Sequence, residues 1–250
     1  MPIAKIRNSG AMFGYSHGLK ITFLFMSLQD FDLIIFDLDG TLLDTVLEIS
    51  QSVNAGLQAL ALPLVEPHQI RDWVGQGAEH LFTIASQFAI MQTADKTPLT
   101  TAQFQTGFAA FMAAYELYSG KNSQLYPYVR QALDQLQQDG KHLAVVTNKV
   151  KHLADLALAQ HNLLHYFELV IGGDTFAQKK PDPYAIHYCR QHYQVAEAKT
   201  LFVGDSVTDV LTARNANVAV WALPYGYNHG EPIEKSQPDQ VVADFSVFLK

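Results

Sequence analysis

Two short segments each carry a pair of aspartates, residues 37–41 with the sequence DLDGT and residues 204–209 with the sequence GDSVTD. Four carboxylates brought together repel one another unless a cation neutralises them, and all-oxygen ligation completed by water suits Mg²⁺. Elsewhere the chain offers the hydroxyl of Thr147, with Asn148 beside it, and the ammonium of Lys180. Such groups are donors for a phosphoryl group held next to the cation. The set predicts a site for an anion beside a metal ion.

The spacing of Asp37 and Asp39 indicates what that site does to the anion. Two residues apart in an extended segment, both side chains lie on the same side and can face one ligand. One carboxylate can attack phosphorus to form an aspartyl-phosphate once Mg²⁺ and Lys180 cancel the charge repulsion. The other can protonate the leaving alcohol and then deprotonate the water that hydrolyses the intermediate. The surrounding donors and the cation stabilise the charge that develops on the phosphoryl oxygens.

Each segment taken alone also has a structural interpretation without chemistry. Residues 39–40 (DG) can form a hairpin turn, and residues 147–148 can be ordinary loop residues. Residues 180–183 (KPDP) suit a turn and a helix start, and residues 205–206 suit a helix cap. The four segments nevertheless all adjoin strands of one predicted sheet, in this order. Their conjunction therefore favours a functional site.

Short apolar runs are the elements that must position these groups. They are bounded by Gly, Asp or Thr and occur at residues 33–36, 143–146, 169–171, 201–203 and 218–221. Runs apolar on both faces, alternating with helical patterns at 128–138, 152–162, 183–192 and 205–216, predict right-handed βαβ units and a parallel sheet covered on both sides. The predicted fold class is α/β, a doubly wound (Rossmann-like) core. Ligands of such sheets bind outside the carboxyl ends of the strands.

Residues 46–124 interrupt this alternation. They are rich in Ala, Leu, Gln and Phe, contain no comparable strand run, and read as helices separated by Pro and Gly residues. We predict a small helical cap domain inserted after the first strand. The catalytic core is then formed by residues 27–45 and 125–250.

Composition excludes several classes of protein. With 48% hydrophobic and 16% charged residues in 250, the chain can build a sizeable core and is not disordered. A net charge of −7, from 24 acidic and 17 basic residues without a basic cluster, makes nucleic acid a poor partner. The single cysteine, Cys189, cannot form an internal disulfide, so we expect a reducing compartment, the cytoplasm.

The first 26 residues require a separate interpretation. Basic residues precede the apolar run at 21–26 (ITFLFM), as in a secretory signal, but the run is short and no small-residue cleavage site follows. It is also far below the roughly 20 residues that span a bilayer, so no membrane association is expected. We expect residues 1–26 to be an N-terminal tail, or translation to begin at Met26.

The motifs resemble those of the haloacid dehalogenase superfamily, and the resemblance extends from about residue 31 to the C-terminus. It rests on the DLDGT segment, Thr147, the Lys180-Pro181 pair, and the Gly204-Asp205 pair with Asp209. An acid at position 39 is shared by the phosphatases and phosphomutases of that superfamily, whereas the dehalogenases lack it. Dehalogenation is therefore disfavoured.

The resemblance implies a role for each core residue. Asp37 is expected to be the nucleophile and Asp39 the general acid/base. Thr147, Asn148 and Lys180 are expected to bind the phosphoryl group. The expected Mg²⁺ ligands are the Asp37 carboxylate, the Asp39 backbone carbonyl and Asp205, with Asp209 in support.

Substrate choice is expected to lie in the cap, because the core contacts only the phosphoryl group. Residues 71–78 (RDWVGQGA) and 226–233 (GYNHGEPI) resemble those of phosphoglycolate phosphatases. Gly75 and Gly77 can expose backbone N–H groups to a small carboxylate, and Arg71 can pair with it. Alternatively, the glycines form a plain helix connection and Arg71 is a solvated charge. The expected substrate is a small phosphorylated metabolite, 2-phosphoglycolate.

Several alternatives remain open. A phosphatase for another sugar phosphate or amino-sugar phosphate, or a phosphomutase, would use the same motifs. A phospho-accepting receiver also uses Asp, Mg²⁺, Thr and Lys, but it needs no lid and carries its phosphorylated Asp on a later strand. A catalytically inactive binding protein is disfavoured, because every catalytic position holds the expected residue type. The sequence leaves the oligomeric state open between monomer and homodimer.

Overall fold

A computed structural model describes residues 13–16, 19–22 and 27–249. The chain divides into two units, Met1–Asp30 and Phe31–Lys250. In the first unit, strands β1 (Phe13–Ser16) and β2 (Leu19–Thr22) pair in antiparallel fashion. Most of the expected tail, including Met26, lies outside the described residues, so the predictions made for it stay predictions. Of the helices described, none has the length and apolar character needed to cross a membrane.

The second unit is built on a parallel sheet. The strands of this unit are β3 (Leu33–Phe36), β4 (Leu43–Asp44), β5 (Gln124–Leu125), β6 (His142–Val146), β7 (Leu169–Ile171), β8 (Thr200–Gly204), β9 (Ala219–Ala222) and β10 (Gln240–Val241). Six of them form one sheet in the order β10-β9-β8-β3-β6-β7, with every described pairing parallel. The predicted α/β fold is confirmed, and each predicted apolar run forms a strand. The two short strands β4 and β5 form a separate antiparallel pair.

The register of the central strands brings their carboxyl ends to one level. Strand β3 lies between β6 and β8, and Phe36 is paired with Val145 on one side and Val203 on the other. The residues that follow these three strands therefore leave the sheet side by side. This common edge is where parallel α/β sheets bind their ligands.

Helices cover the sheet and fill the insertion. They are α1 (Val46–Ala59), α2 (Pro67–Trp73), α3 (Ala78–Met91), α4 (Thr101–Tyr118), α5 (Val129–Gln138), α6 (Lys151–Gln160), α7 (Tyr184–Tyr193) and α8 (Val207–Asn215). Side chains of a strand point alternately to the two faces of a sheet. Leu33 and Ile35 pack with α7 and α8 on one face. Phe36 stacks on Phe245 at 5.8 Å between ring centroids and contacts Phe248.

Four helices, α1–α4, occupy the predicted insertion at 46–124. They share an apolar cluster in which Val53 and Leu57 of α1 pack with Phe82 of α3 and Phe111 of α4. The two phenylalanine rings stack at 5.5 Å. These helices belong to the same unit as the sheet, and the division into cap and core stays a prediction. For brevity we call α1–α4 the cap.

Helices α1 and α4 approach closely because glycine lies at their contact. A Cβ on Gly56 would lie 2.5 Å from Cε2 of Phe82 and 2.7 Å from the carbonyl oxygen of Gly107. Both distances are far below van der Waals contact. The glycine therefore sets how tightly the cap helices pack.

We predict that Gly56→Ala destabilises the protein. Alanine favours a helix over glycine by about 1 kcal/mol, but overpacking a closed contact costs about 1–3 kcal/mol, so the free energy of unfolding falls. Urea-induced unfolding followed by circular dichroism measures the change. Gln58→Ala, at an exposed position of the same helix, serves as the control and should stay within about 0.5 kcal/mol of the parent. A Gly56→Ala protein as stable as the parent would contradict the packing argument.

Candidate active site

Asp37 and Asp39 follow the central strand as the sequence predicts. The Asp37 N–H continues the sheet ladder by donating to the carbonyl of Val203 at 2.9 Å. The N–H of Gly40 closes a turn by donating to the carbonyl of Leu43 at 2.8 Å. The DG pair thus forms a turn, and this turn lies at the carboxyl end of the central strand β3. Both aspartates line a cleft at this edge.

Asp205 and Asp209 come from the junction of β8 and α8. Ser206 caps α8, and the Asp209 side chain completes a capping box. Oδ2 of Asp209 accepts hydrogen bonds from the backbone N–H groups of Asp205 at 3.1 Å and Ser206 at 3.0 Å. Oδ1 of Asp205 accepts from Oγ1 of Thr41 at 2.5 Å. The helix cap considered as an alternative is therefore present and holds the Asp209 carboxylate, whereas Thr41 holds the Asp205 carboxylate.

A loop after β9 closes over Asp205. The Tyr227 N–H donates to Oδ2 of Asp205 at 2.6 Å. A Cβ on Gly226 would lie 2.2 Å from the same oxygen, so only glycine allows the backbone to approach this closely. The segment 226–233, singled out from the sequence, therefore begins with a residue that the carboxylate site requires.

Three carboxylates form a cluster that can hold a metal ion. Asp37, Asp205 and Asp209 are buried, and each offers an oxygen within 4.8 Å of the others. Burial raises the pKa of Asp37 to about 6, and the Asp209 charge adds to this rise while Lys180 opposes it. Burial and the charges of Asp209 and Asp37 raise the pKa of Asp205 well above its ordinary value. Three carboxylates with one lysine among them leave a net negative charge, and this charge and the all-oxygen donor set fit a divalent cation.

Lys180 provides a positive charge inside this cluster. Its Nζ lies 2.8 Å from Oδ1 of Asp37 and 2.7 Å from Oδ1 of Asp209. Burial lowers the pKa of Lys180, but the two carboxylates more than offset it, so the pKa lies above its ordinary value. The side chain is therefore an ammonium, placed directly beside Asp37.

Thr147 and Asn148 follow β6 and line the cleft with the aspartates. Oγ1 of Thr147 accepts from the N–H of Lys149 at 3.2 Å. Nδ2 of Asn148 donates to the carbonyls of Lys180 at 3.0 Å and Gly75 at 2.8 Å. Asn148 Oδ1 is buried and forms no hydrogen bond with the part of the chain described. Asn148 therefore joins the core to the cap at the rim of the cleft.

The cap residues predicted to contact substrate are divided between two places. Gly75 and Gly77 line the cleft. Arg71 does not: Nη2 donates to the carbonyl of Gly226 at 3.1 Å and to that of Tyr225. Its guanidinium also lies 5.5 Å from the ring centre of Tyr227. The structure thus places Arg71 against the loop after β9, where it joins cap to core.

Sequence reasoning missed three buried residues beside Asp39. Nζ of Lys149 lies 3.0 Å from Oδ1 of Asp39, 2.7 Å from Oη of Tyr115 and 3.7 Å from Oε1 of Glu48. Burial lowers the pKa of Lys149, but its three neighbours raise it above the ordinary value. The adjacency of Lys149 to Thr147 and Asn148 was the one available signal. Tyr115 lies on the apolar face of α4 with Phe111, so its sequence pattern indicates core packing and gives no sign of a role for its hydroxyl.

The cleft itself is small. Its free volume is about 40 Å³, above the roughly 10–15 Å³ that a single water molecule needs. Apolar cap side chains, Ile49, Val74 and Leu81, form its far wall. The arrangement suits a small ligand.

Comparisons with known proteins agree with this geometry. The model of the haloacid dehalogenase-like hydrolase family matches residues 34–223. A phosphoglycolate phosphatase of Vibrio parahaemolyticus is 42% identical over 226 residues, covering 90% of this chain and 97% of that protein. A phosphoglycolate phosphatase of Nitrosococcus oceani is 36% identical over 86% of this chain and 93% of its own length.

A solved structure shares the whole architecture. The crystal structure of a predicted phosphoglycolate phosphatase from Haemophilus somnus 129pt superposes with a TM-score of 0.85 and 34% identity, covering 89% of this chain and 98% of that one. The resemblance inferred from the motifs is therefore confirmed. The chain belongs to the haloacid dehalogenase-like hydrolase family and is an enzyme.

Proposed function

We propose that this enzyme is a phosphatase that hydrolyses 2-phosphoglycolate to glycolate and inorganic phosphate. The observation that carries the proposal is the contact of Asp37 with the Lys180 ammonium at 2.8 Å, beside two further buried carboxylates and facing a small cleft. A carboxylate can attack a phosphate ester only when such a charge offsets the repulsion. The names of the relatives support the substrate.

In the first step, a carboxylate oxygen of Asp37 attacks phosphorus and forms an aspartyl-phosphate. The bond between phosphorus and the ester oxygen breaks, and its electron pair goes to that oxygen. The Asp39 carboxyl group donates a proton there, so glycolate leaves with a neutral hydroxyl. The second step runs in reverse order: Asp39 takes a proton from water, the water oxygen attacks phosphorus, and the bond to Asp37 breaks. Both side chains return to their starting states.

The donors around the phosphoryl group are proposed to be Lys180, Thr147 and Asn148. Their task is to meet the negative charge of the equatorial oxygens, the main requirement of phosphoryl transfer. Lys180 already contacts the nucleophile, so it screens the approach of the substrate.

Mg²⁺ is the proposed cofactor, held by the carboxylates of Asp37 and Asp205 and by the backbone carbonyl of Asp39. Asp209 is proposed to act in support. Its Oδ1 already binds Lys180 at 2.7 Å, and its Oδ2 accepts from Oγ of Ser206 at 2.7 Å and from two N–H groups. When bound, the cation would neutralise charge between nucleophile and substrate.

Gly75 and Gly77 are proposed to recognise the substrate carboxylate. They lie at the cleft immediately before α3, which begins at Ala78. Exposed N–H groups at the start of a 14-residue helix favour a negative charge.

The proposed location of the enzyme is the cytoplasm, because its single cysteine, Cys189, is buried and unpaired.

We predict that 2-phosphoglycolate exceeds a panel of sugar phosphates and amino-sugar phosphates by tenfold or more in kcat/KM, or about 1.4 kcal/mol of transition-state preference. The small cleft favours the smaller ester. Inorganic phosphate release is measured with Mg²⁺ and with excess chelator, which should abolish turnover. If a larger phosphate ester has the highest kcat/KM, the phosphatase chemistry stands but 2-phosphoglycolate is not the preferred substrate. Transfer of phosphate between sugar positions, without net release, would indicate a mutase.

Asp37→Asn is predicted to abolish turnover while the protein stays folded. The change removes the nucleophile and its charge at nearly constant volume. Phosphate release should fall by about 10⁴-fold or more, with the circular dichroism spectrum unchanged. Asp182→Asn, which removes an exposed carboxylate of the KPDP segment, is the matched control and should keep full activity. A folded Asp37→Asn protein with retained turnover would overturn the mechanism.

Arg71→Ala tests whether Arg71 recognises substrate or holds the cap. Because its guanidinium contacts the loop carbonyls, we expect KM to rise about three- to tenfold for every substrate, up to ~1.4 kcal/mol. The measurement compares 2-phosphoglycolate with 2-hydroxyethyl phosphate, which lacks the carboxylate. A rise confined to 2-phosphoglycolate would instead support the carboxylate contact expected from the sequence.

A further inference from the structure

Lys149 is a buried lysine whose ammonium forms two hydrogen bonds and one ion pair inside the protein. The side chain is 1% exposed, and its Nζ contacts Oδ1 of Asp39 at 3.0 Å, Oη of Tyr115 at 2.7 Å and Oε1 of Glu48 at 3.7 Å. Two of the three donors of the ammonium are therefore used in hydrogen bonds, and its charge faces the Glu48 carboxylate as well.

This engagement argues against a role in binding the substrate. Lys149 faces two carboxylates, so the cluster as a whole carries negative charge. A phosphate or carboxylate arriving there would meet repulsion and would have to displace an existing contact. The contact of Lys149 with Asp39 instead orients the Asp39 side chain.

Lys149 fixes one oxygen of Asp39 and leaves the other for the reaction. Oδ1 of Asp39 is held by the ammonium at 3.0 Å, whereas Oδ2 forms no hydrogen bond with any residue that the structure describes. The Asp39 side chain lines the cleft. With Oδ1 held, the plane of the carboxyl group is set and Oδ2 is the oxygen that can meet the leaving group.

The same ammonium is tied to the cap. Tyr115 lies near the end of α4 and Glu48 in the first turn of α1. Oε2 of Glu48 accepts from the N–H of Gly120, just after α4, at 2.8 Å. The contacts of Lys149 therefore reach both chain segments that connect cap and core, and they require those segments in the arrangement seen here.

We propose that Lys149 is the positioning residue for the general acid/base and that Tyr115 and Glu48 make its position depend on the cap. The inference rests on the proposed phosphatase function. As the bond from phosphorus to the ester oxygen breaks, the Oδ2–H bond of Asp39 breaks and its proton goes to that oxygen. The electron pair stays on Asp39 as the carboxylate that Lys149 holds. The same fixed carboxylate then takes a proton from water.

Lys149→Met tests this, because methionine keeps an unbranched chain and removes the charge. With 2-phosphoglycolate, whose leaving alkoxide needs a proton, formation of the phosphoenzyme should slow about 100-fold or more. With acetyl phosphate, whose acetate leaves without a proton, it should stay within about threefold of the parent. Hydrolysis of the intermediate still needs Asp39 as base. Labelled protein should therefore accumulate from acetyl [³²P]phosphate after an acid quench.

If Lys149 has only a structural role, Lys149→Met should slow phosphoenzyme formation equally with 2-phosphoglycolate and with acetyl phosphate. That outcome, or an unchanged rate with 2-phosphoglycolate, would overturn the inference. Lys151→Met removes a half-exposed lysine whose ammonium pairs only with Asp155 among the residues described, and it should leave both rates unchanged. If the parent enzyme hydrolyses neither substrate with Mg²⁺, the proposed function fails and not the role of Lys149.

Tyr115→Phe provides a second variant should Lys149→Met not fold. It removes one hydroxyl and keeps the ring packed against Phe111. The same leaving-group dependence is expected with a smaller loss, about three- to tenfold for 2-phosphoglycolate. Lys149→Arg should recover part of the rate by restoring the charge. Equal losses for the two substrates in Tyr115→Phe would refute the link between the cap and Asp39.

Discussion

The burial of like charges is the constraint on which the rest of this structure depends. Carboxylates from the ends of β3 and β8 converge at the base of the cleft, where three buried ones offer oxygens within 4.8 Å of one another. Uncompensated, such charges oppose folding. The chain meets this cost with two buried lysines, each beside a different carboxylate of the DLDGT segment: Lys180 beside Asp37 and Lys149 beside Asp39. Removing one partner of a buried pair typically costs about 3–5 kcal/mol, so stability and chemistry depend on the same contacts.

The sheet makes this convergence possible because its central strands share one register. Phe36, Val145 and Val203 lie level across β3, β6 and β8. A shift of register in any one strand would move its following residues along the sheet edge by several ångströms, beyond the reach of a hydrogen bond. The fully buried, alternating side chains of β3 on both faces fix that register. Packing of the core therefore places Asp37, Thr147 and Asp205, which follow β3, β6 and β8, side by side.

Sequence reasoning recovered the features that are local and failed where contacts are long-range. Strand β3, the motifs after it and the helix cap at Ser206 follow from runs of a few residues. The two-residue strands β4 and β5 carry no pattern of their own and exist only because the ends of the cap meet. Arg71 was interpreted by charge alone, whereas its partners, the carbonyls of Tyr225 and Gly226, lie 154 and 155 residues away. No spacing rule connects Tyr115 with Lys149 either, although only 34 residues separate them.

The division of the two lysines also relates the cap to the order of the chemical steps. Lys180 binds Asp37 and Asp209, neither of which lies in α1–α4, so the contacts of the proposed nucleophile do not involve the cap. Lys149 binds Asp39 and also contacts Tyr115 and Glu48 of the cap, so the contacts of the proposed acid/base include the cap. If the proposed roles hold, an acid positioned by the cap favours reaction with ligands that leave the contacts of Lys149 with Tyr115 and Glu48 intact. Substrate size would then be selected in the proton-transfer step as well as in binding.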